Sequence, residues 1–205
     1  MGISTLRFST ITAVALLLCA CSTLQGQVKE NIYTAPNGEF TVMVPPILDV
    51  SVTDGKIGLN KQFVDFVTGD GYWMAQGGYS LEWYKLDHAY DDDTKFVADT
   101  SRFFPNLVKA EAGKSFSIVH TSTFTINGHT AYQAVARGVK DKLDAFWVGT
   151  SINFRNRVAV AMLIIPVKTN SQPKPGPGPT SAEQAAAWGF YPKFIDSIQY
   201  RVHQP

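Results

Sequence analysis

Phe116-Ser-Ile-Val-His-Thr-Ser-Thr-Phe-Thr-Ile126, then Asn127-Gly128, then Thr130-Ala-Tyr-Gln-Ala-Val-Ala-Arg-Gly-Val139, is the stretch on which the fold turns. The first arm alternates with the period of a strand that has two different faces. Asn127 and Gly128 both tolerate positive φ, which a two-residue hairpin turn requires. With that turn, Ile126 faces His129 and His120 faces Val135. A third strand, Ala145 to Phe154, follows a polar turn, and Arg155-Asn-Arg157 leads into a fourth, Val158 to Ile165. The fourth is apolar on both faces, so it belongs in the middle of a sheet and must be covered on both sides, by helices or by a helix and a loop. The expectation is an α+β protein with a mostly antiparallel β-sheet and helices packed on its faces.

Toward the N-terminus, Asn37-Gly38 is a turn flanked by extended segments, and Pro45-Pro46 ends the second of them. Asp54-Gly55 reads as another turn. Lys61 to Val67 is strand-like, Thr68 to Gly71 turns the chain, and Tyr72 to Leu86 continues as strand, with Gly77-Gly78 marking a bulge or a close backbone approach. A helix begins after Asp91-Asp92-Asp93, whose carboxylates suit an N-cap and first turn. Phe96, Phe103 and Leu107 recur at near-helical spacing, and Pro105 is expected to end or kink the helix. Near the C-terminus, Thr180-Ser181-Ala-Glu183-Gln184 forms a capping box before the apolar stripe Trp188, Tyr191, Phe194, Ile195 and Ile198, which Pro192 divides. Gln172 to Pro179 is an extended Pro-Gly loop.

Residues 1–20 have the layout of a secretory signal, with one basic residue, Arg7, before an apolar run from Ile11 to Ala20. That run is about half the ~20 residues a membrane-spanning helix needs. It ends in Leu18-Cys-Ala-Cys21, which resembles a bacterial lipobox. Leu18 is too large for the position before an acylated cysteine, whereas Ala20 before Cys21 fits. The resemblance implies lipid attachment at Cys21, with cleavage before it. Two or three acyl chains of the palmitate kind hold a protein durably where one does not. Ser22 in place of Asp points to the outer membrane of a Gram-negative cell, facing the periplasm. An ordinary signal peptide cut nearby is the alternative. The expected organisation is a signal over 1–20, a lipidated tether over 21–31 and a single domain over 32–205.

Of the 205 residues, 185 follow the signal, with 17 Lys and Arg against 17 Asp and Glu once Arg7 is gone. A formally neutral chain with no basic block argues against a nucleic-acid partner. One cysteine leaves with the signal and the other carries lipid, so neither an intrachain disulfide nor a cysteine-zinc site is available. Stability has to come from packing.

The order of pieces resembles the PsbP-like (DcrB-like) family. The matching residues are Tyr33-x-x-Pro36-x-Gly38-x-Phe40-x-Val42-x-x-Pro45, then Ile126-Asn127-Gly128-x-x-Ala131, the apolar strand 158–165, and Phe194-Ile195-x-Ser197-Ile198. The resemblance implies an antiparallel sheet with helices on its faces, and an accessory or assembly role in place of catalysis. It carries over no catalytic or metal residue.

Reactive constellations are missing where they can be checked. Gly78-Tyr-Ser80-Leu-Glu82 lacks the second glycine of a nucleophile elbow, and the Pro-Gly loop lacks the N–H donors of a phosphate cradle. His120 and His129 stand six positions apart along the hairpin, roughly 20 Å, too far for one metal. His129 is expected to be exposed. His88 beside Asp87 and Asp91 to Asp93 is better read as part of a helix cap than as a metal site, because the acids are consecutive and do not alternate. No metal or cofactor is implied. The aromatics Tyr72, Trp73, Tyr79, Trp83 and Tyr84 are core residues first and otherwise contacts for a ligand or partner. The functional expectation is a non-catalytic, lipid-anchored cell-envelope protein that docks another envelope protein. The alternative is a small-ligand binder using that aromatic cluster.

Overall fold

The structure is a computed structural model that describes residues 25–46, 50–57, 60–68, 78–140, 143–166 and 181–201. Residues 1–20, read as a signal, and Cys21, Tyr72, Trp73 and the Pro-Gly loop lie outside the described residues. Among the described residues, eleven strands form two antiparallel sheets. The larger sheet has the order β4 (Val50–Ile57), β5 (Lys61–Thr68), β6 (Gly78–Lys85), β10 (Arg157–Pro166), β9 (Leu143–Asn153), β8 (His129–Lys140), β7 (Ser117–Ile126). The smaller has the order β1 (Gln27–Lys29), β2 (Ile32–Thr34), β3 (Phe40–Met43), β11 (Gln199–Tyr200). The helices are α1 (Asp93–Ala112), α2 (Ala182–Ala186) and α3 (Tyr191–Asp196).

Strand alternation sorts the large sheet into two cores. On β10, Ala159, Ala161, Leu163 and Ile165 face one core, and Val158, Val160, Met162 and Ile164 face the other. β10 is therefore the central, doubly covered strand that its apolar run requires, paired with β6 on one side and β9 on the other. The first core receives Tyr79, Leu81 and Trp83 from β6, Phe146, Val148 and Ile152 from β9, the small sheet and both short helices. The second receives Phe104, Val108 and Ala112 of α1 against Tyr132, Ala134, Ala136, Ala145 and Trp147. In the hairpin, His120 lies opposite Val135 and Ile126 opposite His129, with an irregularity between Ile118 and His120.

The Asp92 carboxylate caps α1, accepting from the backbone N–H of Thr94 at 2.8 Å and of Lys95 at 3.4 Å. Pro105 neither ends nor breaks α1, which continues to Ala112. The carbonyl deprived of its partner belongs to Ser101, on the exposed face, where water can serve it. The buried stripe is Phe96, Thr100, Phe104, Val108 and Ala112, so Phe103 is left 54% exposed and Leu107 half-buried. The helix comes so close to β9 that a Cβ on Gly149 would lie 2.5 Å from Val108 Cγ2. Ser181 caps α2 through Gln184 N–H at 3.2 Å, and Pro192 sits in the first turn of α3, where a missing N–H costs nothing.

Asp54 and Gly55 do not turn the chain; both lie inside β4. A Cβ on Gly55 would come within 2.8 Å of the Phe63 ring, and Asp54 faces the small sheet. Its carboxylate accepts from Gly26 N–H at 2.6 Å and from the Tyr33 hydroxyl at 2.7 Å. Residues 27–29, within the stretch read as tether, form β1. Gly78 opens β6 opposite Ile164 without a bulge. The second fastening between the sheets is the Arg157–Glu39 ion pair, with both side chains largely buried.

Candidate functional site

The large sheet is wider than α1. The helix packs on β7, β8 and β9, and along its N-terminal half it leaves an apolar groove between itself and the neighbouring strands β10 and β6. The cavity there is about 340 Å³. Tyr84 and Val158 with Val160 form one wall, from β6 and β10, and Phe96, Phe103, Phe104 and Leu107 form the other, from α1. Tyr90 closes one end, its ring edge-on to Phe96 at 5.5 Å between centroids.

Buried polar contacts hold this geometry. Asn153, at the end of β9, donates from Nδ2 to Tyr90 O at 3.1 Å and to Asp93 Oδ1 at 3.0 Å. Its Oδ1 accepts from Arg155 N–H at 2.8 Å. One side chain thus ties the β9–β10 turn to the first turn of α1. Tyr90 N–H to Arg155 O at 2.9 Å and Leu86 N–H to Asn156 O at 3.1 Å pin the segment between β6 and α1 over the same turn. On the wall, the Tyr84 hydroxyl donates to the Glu82 carboxylate, which also pairs with Lys61 Nζ at 2.5 Å. Burial first, and then the Glu82 carboxylate, push the Tyr84 phenol above its ordinary range. Burial and then Asp99 do the same to Tyr90.

Lys85 is the one charged residue among those lining the cavity, and its side chain is exposed. Two hydroxyls face the floor, Thr100 from α1 and Ser151 from β9, each 1% exposed. Neither is engaged by a hydrogen bond from its side chain among the described residues. Among the described residues lining the groove there is no histidine or carboxylate beside the Thr100 or Ser151 hydroxyl. Among the described residues, no three His, Cys, Asp or Glu side chains gather as a metal would require.

The five aromatics singled out in the sequence do not form one site among the described residues. Tyr72 and Trp73 lie outside them. Tyr79 and Trp83 point into the first core, Trp83 stacked on Phe40 at 5.0 Å and 1% exposed, Tyr79 packed on Phe194. Tyr84 points to the opposite face and lines the groove. Strand parity carries this separation, since 79, 81 and 83 share a face that 84 cannot. The α1 residues of the groove were missed because Phe103 and Leu107 look like core at helical spacing and flank it instead. His129 is half-buried, not exposed. Its ring rests on Phe154 at 4.3 Å, and Nδ1 is 3.1 Å from Asn153 O.

No family model and no curated protein matches the chain. Among solved structures, it is similar to the cyanobacterial PsbP (CyanoP) of Synechocystis, with 12% identity, 88% of this chain and 95% of that chain covered, and a TM-score of 0.52. The Ran-binding protein Mog1p of Saccharomyces cerevisiae aligns over 87% of this chain and 96% of its own at 12% identity, with a TM-score of 0.47. An immunity protein of Pseudomonas aeruginosa aligns over 69% of this chain and 44% of its own at 10% identity, with a TM-score of 0.40. The last two scores are too low to bear on the fold. The fold is PsbP-like α+β: mostly antiparallel sheet with a helix packed on it.

Proposed function

We propose that this chain is a lipid-anchored protein of the bacterial cell envelope whose PsbP-like domain is a non-catalytic binding module, and that the groove beside α1 is its seat. The observation that carries the binding role is the groove: concave, aromatic, held open by the Asn153 contacts and without a convergent reactive set. Between the two occupants expected from the sequence, its size favours a small molecule. Ligand cavities begin at about 300 Å³, whereas a stable protein interface buries about 800 Å² on each partner. Docking of another envelope protein is the second reading, favoured by Phe103, which stands half-exposed on α1 at the groove's rim.

The anchor rests on Leu18-Cys-Ala-Cys21. Among the described residues no helix is long and apolar enough to cross a membrane. Expression of the full chain and its Cys21→Ser variant in a Gram-negative host, followed by fractionation and intact mass, tests it. The expected result is a diacylglyceryl-bearing species in the outer-membrane fraction that the variant loses. Equal fractionation of both, with unacylated masses, would overturn the anchor. Native mass spectrometry of the gently extracted protein then reads the occupant, as a small adduct or as a stoichiometric protein companion.

A further inference from the structure

We propose that the groove takes an uncharged, ring-bearing small molecule of roughly ten to fifteen non-hydrogen atoms that presents one polar oxygen to Thr100 and Ser151; this rests on the reading of the groove as the binding seat. Size comes first. A cavity of about 340 Å³ holds the volume of roughly eleven waters at ~30 Å³ each, which is the bulk of a two-ring molecule.

Charge comes second. The walls supply Val158, Val160, Leu107 and five aromatic rings, and the sole charged lining residue, Lys85, is exposed at the end of β6. Lys61 and Glu82, behind Tyr84, satisfy each other. An ionised group carried into such a cavity loses its water and meets no counter-charge, which excludes phosphates, carboxylates and zwitterions from its interior.

Ring character comes third. Tyr90 already meets Phe96 edge-on at 5.5 Å, and Phe104 meets Tyr132 at 6.2 Å and 82°. A planar guest continues that edge-to-face pattern, in which aromatic pairs gain more than their buried area alone provides.

The polar point comes last. Thr100 and Ser151 are the two buried hydroxyls that face the cavity, each 1% exposed. Being neither ion-paired nor hydrogen-bonded by side chain among the described residues, they are available to one oxygen of a guest, either as donors to a carbonyl or as acceptors from a hydroxyl. Desolvated polar groups of this kind discriminate strongly between a guest that pairs with them and one that does not.

The strands that meet the groove do so at the end where β6 finishes and β10 begins. The ends from which the undescribed stretches 69–77 and 167–180 depart, Thr68 and Pro166, lie at the opposite end of the sheet, about 25 Å away at ~3.3 Å per residue. Gly26, next to Gln25 where the described chain starts, is bonded to β4 on the other face.

The test is calorimetric and NMR titration of the folded, tether-released domain (residues 22–205) and of the full lipidated chain with three probes: 2-naphthol, naphthalene and dodecanoate. The full chain carries the conclusion; the released form is used only if its spectrum matches. The expected result is binding of both ring probes with shifts confined to α1, β6 and β10, and 2-naphthol bound about ten-fold more tightly, the usual worth of one hydrogen bond. The shape-conserving Thr100→Val and Ser151→Ala variants, made singly, bring 2-naphthol toward naphthalene and leave naphthalene unchanged. Equal binding of both ring probes overturns the polar point while leaving the groove in place. Preference for dodecanoate overturns the uncharged ring. Failure of all three probes with an intact spectrum overturns the groove as a small-molecule seat.

Discussion

Thr150→Val should be among the most damaging isosteric changes in this protein. Thr150 sits on β9 in the first core, fully buried, between Gln133 on β8 and Tyr191 on α3. Gln133 Nε2 donates to Thr150 Oγ1 at 3.0 Å, and Tyr191 Oη lies 2.9 Å from both Thr150 Oγ1 and Ala161 O. Each hydroxyl has one proton. Ala161 O can only accept, so Tyr191 donates to it and receives the proton of Thr150, which in turn accepts from Gln133. The chain has one direction and no spare member. Valine keeps the shape of threonine and leaves the Gln133 amide, 4% exposed, with no acceptor, a cost of about 1–3 kcal/mol. Loss of the bond to Tyr191 adds about 1 kcal/mol, for a total near 3 kcal/mol. With a urea slope of about 2 kcal/mol/M, the midpoint falls by about 1.5 M. Tyr191→Phe strands the buried Thr150 proton and loses the bond to Ala161 O, so by the same accounting it should cost about as much, near 3 kcal/mol. Gln133→Met added to Thr150→Val removes the stranded donor and should restore much of the loss. Urea denaturation followed by tryptophan fluorescence reads all four proteins. A midpoint for Thr150→Val within about 0.3 M of the parent, less than a single hydrogen bond would shift it, or no recovery in the double variant, would refute the directional chain.

Three further expectations follow from other places in the fold. Gly149→Ala puts a methyl against Val108 Cγ2 and should cost about 1–3 kcal/mol of overpacking, which Val108→Ala partly relieves; a double-mutant denaturation cycle measures that rescue. Asp65, half-buried on β5, has its carboxyl raised by burial foremost, so the folded state holds its proton more tightly than the unfolded state. Stability from that proton is present in acid and is lost as pH rises through the folded value, so Asp65→Asn should raise Tm at pH 7 and leave it unchanged near pH 3, where both forms are neutral. Burial pushes the Tyr79 phenol up to about 12 and raises Tyr33, Tyr84 and Tyr191 as well. Their protonated forms stabilise the fold fully below pH ~10, the ordinary tyrosine value, and stability should fall progressively above it, visible as unfolding that precedes phenolate absorbance at 295 nm in an alkaline titration.

Periodicity made the centre of the fold legible. The hairpin register, the two-faced β10 and the caps at Asp92 and Ser181 all follow from local chemistry that tertiary contacts reinforce. The small sheet was half legible. Gln27–Lys29 and Gln199–Tyr200 are strands of three and two residues, too short to show a period, and they exist because β2 and β3 offer them an edge. Asp54-Gly55 carries turn composition inside a strand, because Tyr33 and Gly26 need a part-buried acceptor there and Phe63 needs the space. Pro105 carries breaker composition inside a helix, because the carbonyl it orphans faces water. The groove was legible only as scattered aromatics. Which α1 residues fill the core and which flank the cavity is set by where the helix crosses β9, and that crossing depends on Gly149, far along the chain from either set.

The closure of the small sheet also governs when this protein can fold. Thr41 waits for Gln199 and Glu39 waits for Arg157, so the small sheet is finished by partners 118 or more residues downstream. The central pairing of β6 with β10 likewise joins segments that α1 and three strands separate. Long-range pairings of this kind are slow to form and leave strand edges open until they do. In a chain emerging residue by residue the small sheet therefore closes only after β11 has been made. β11 is the clasp that closes it.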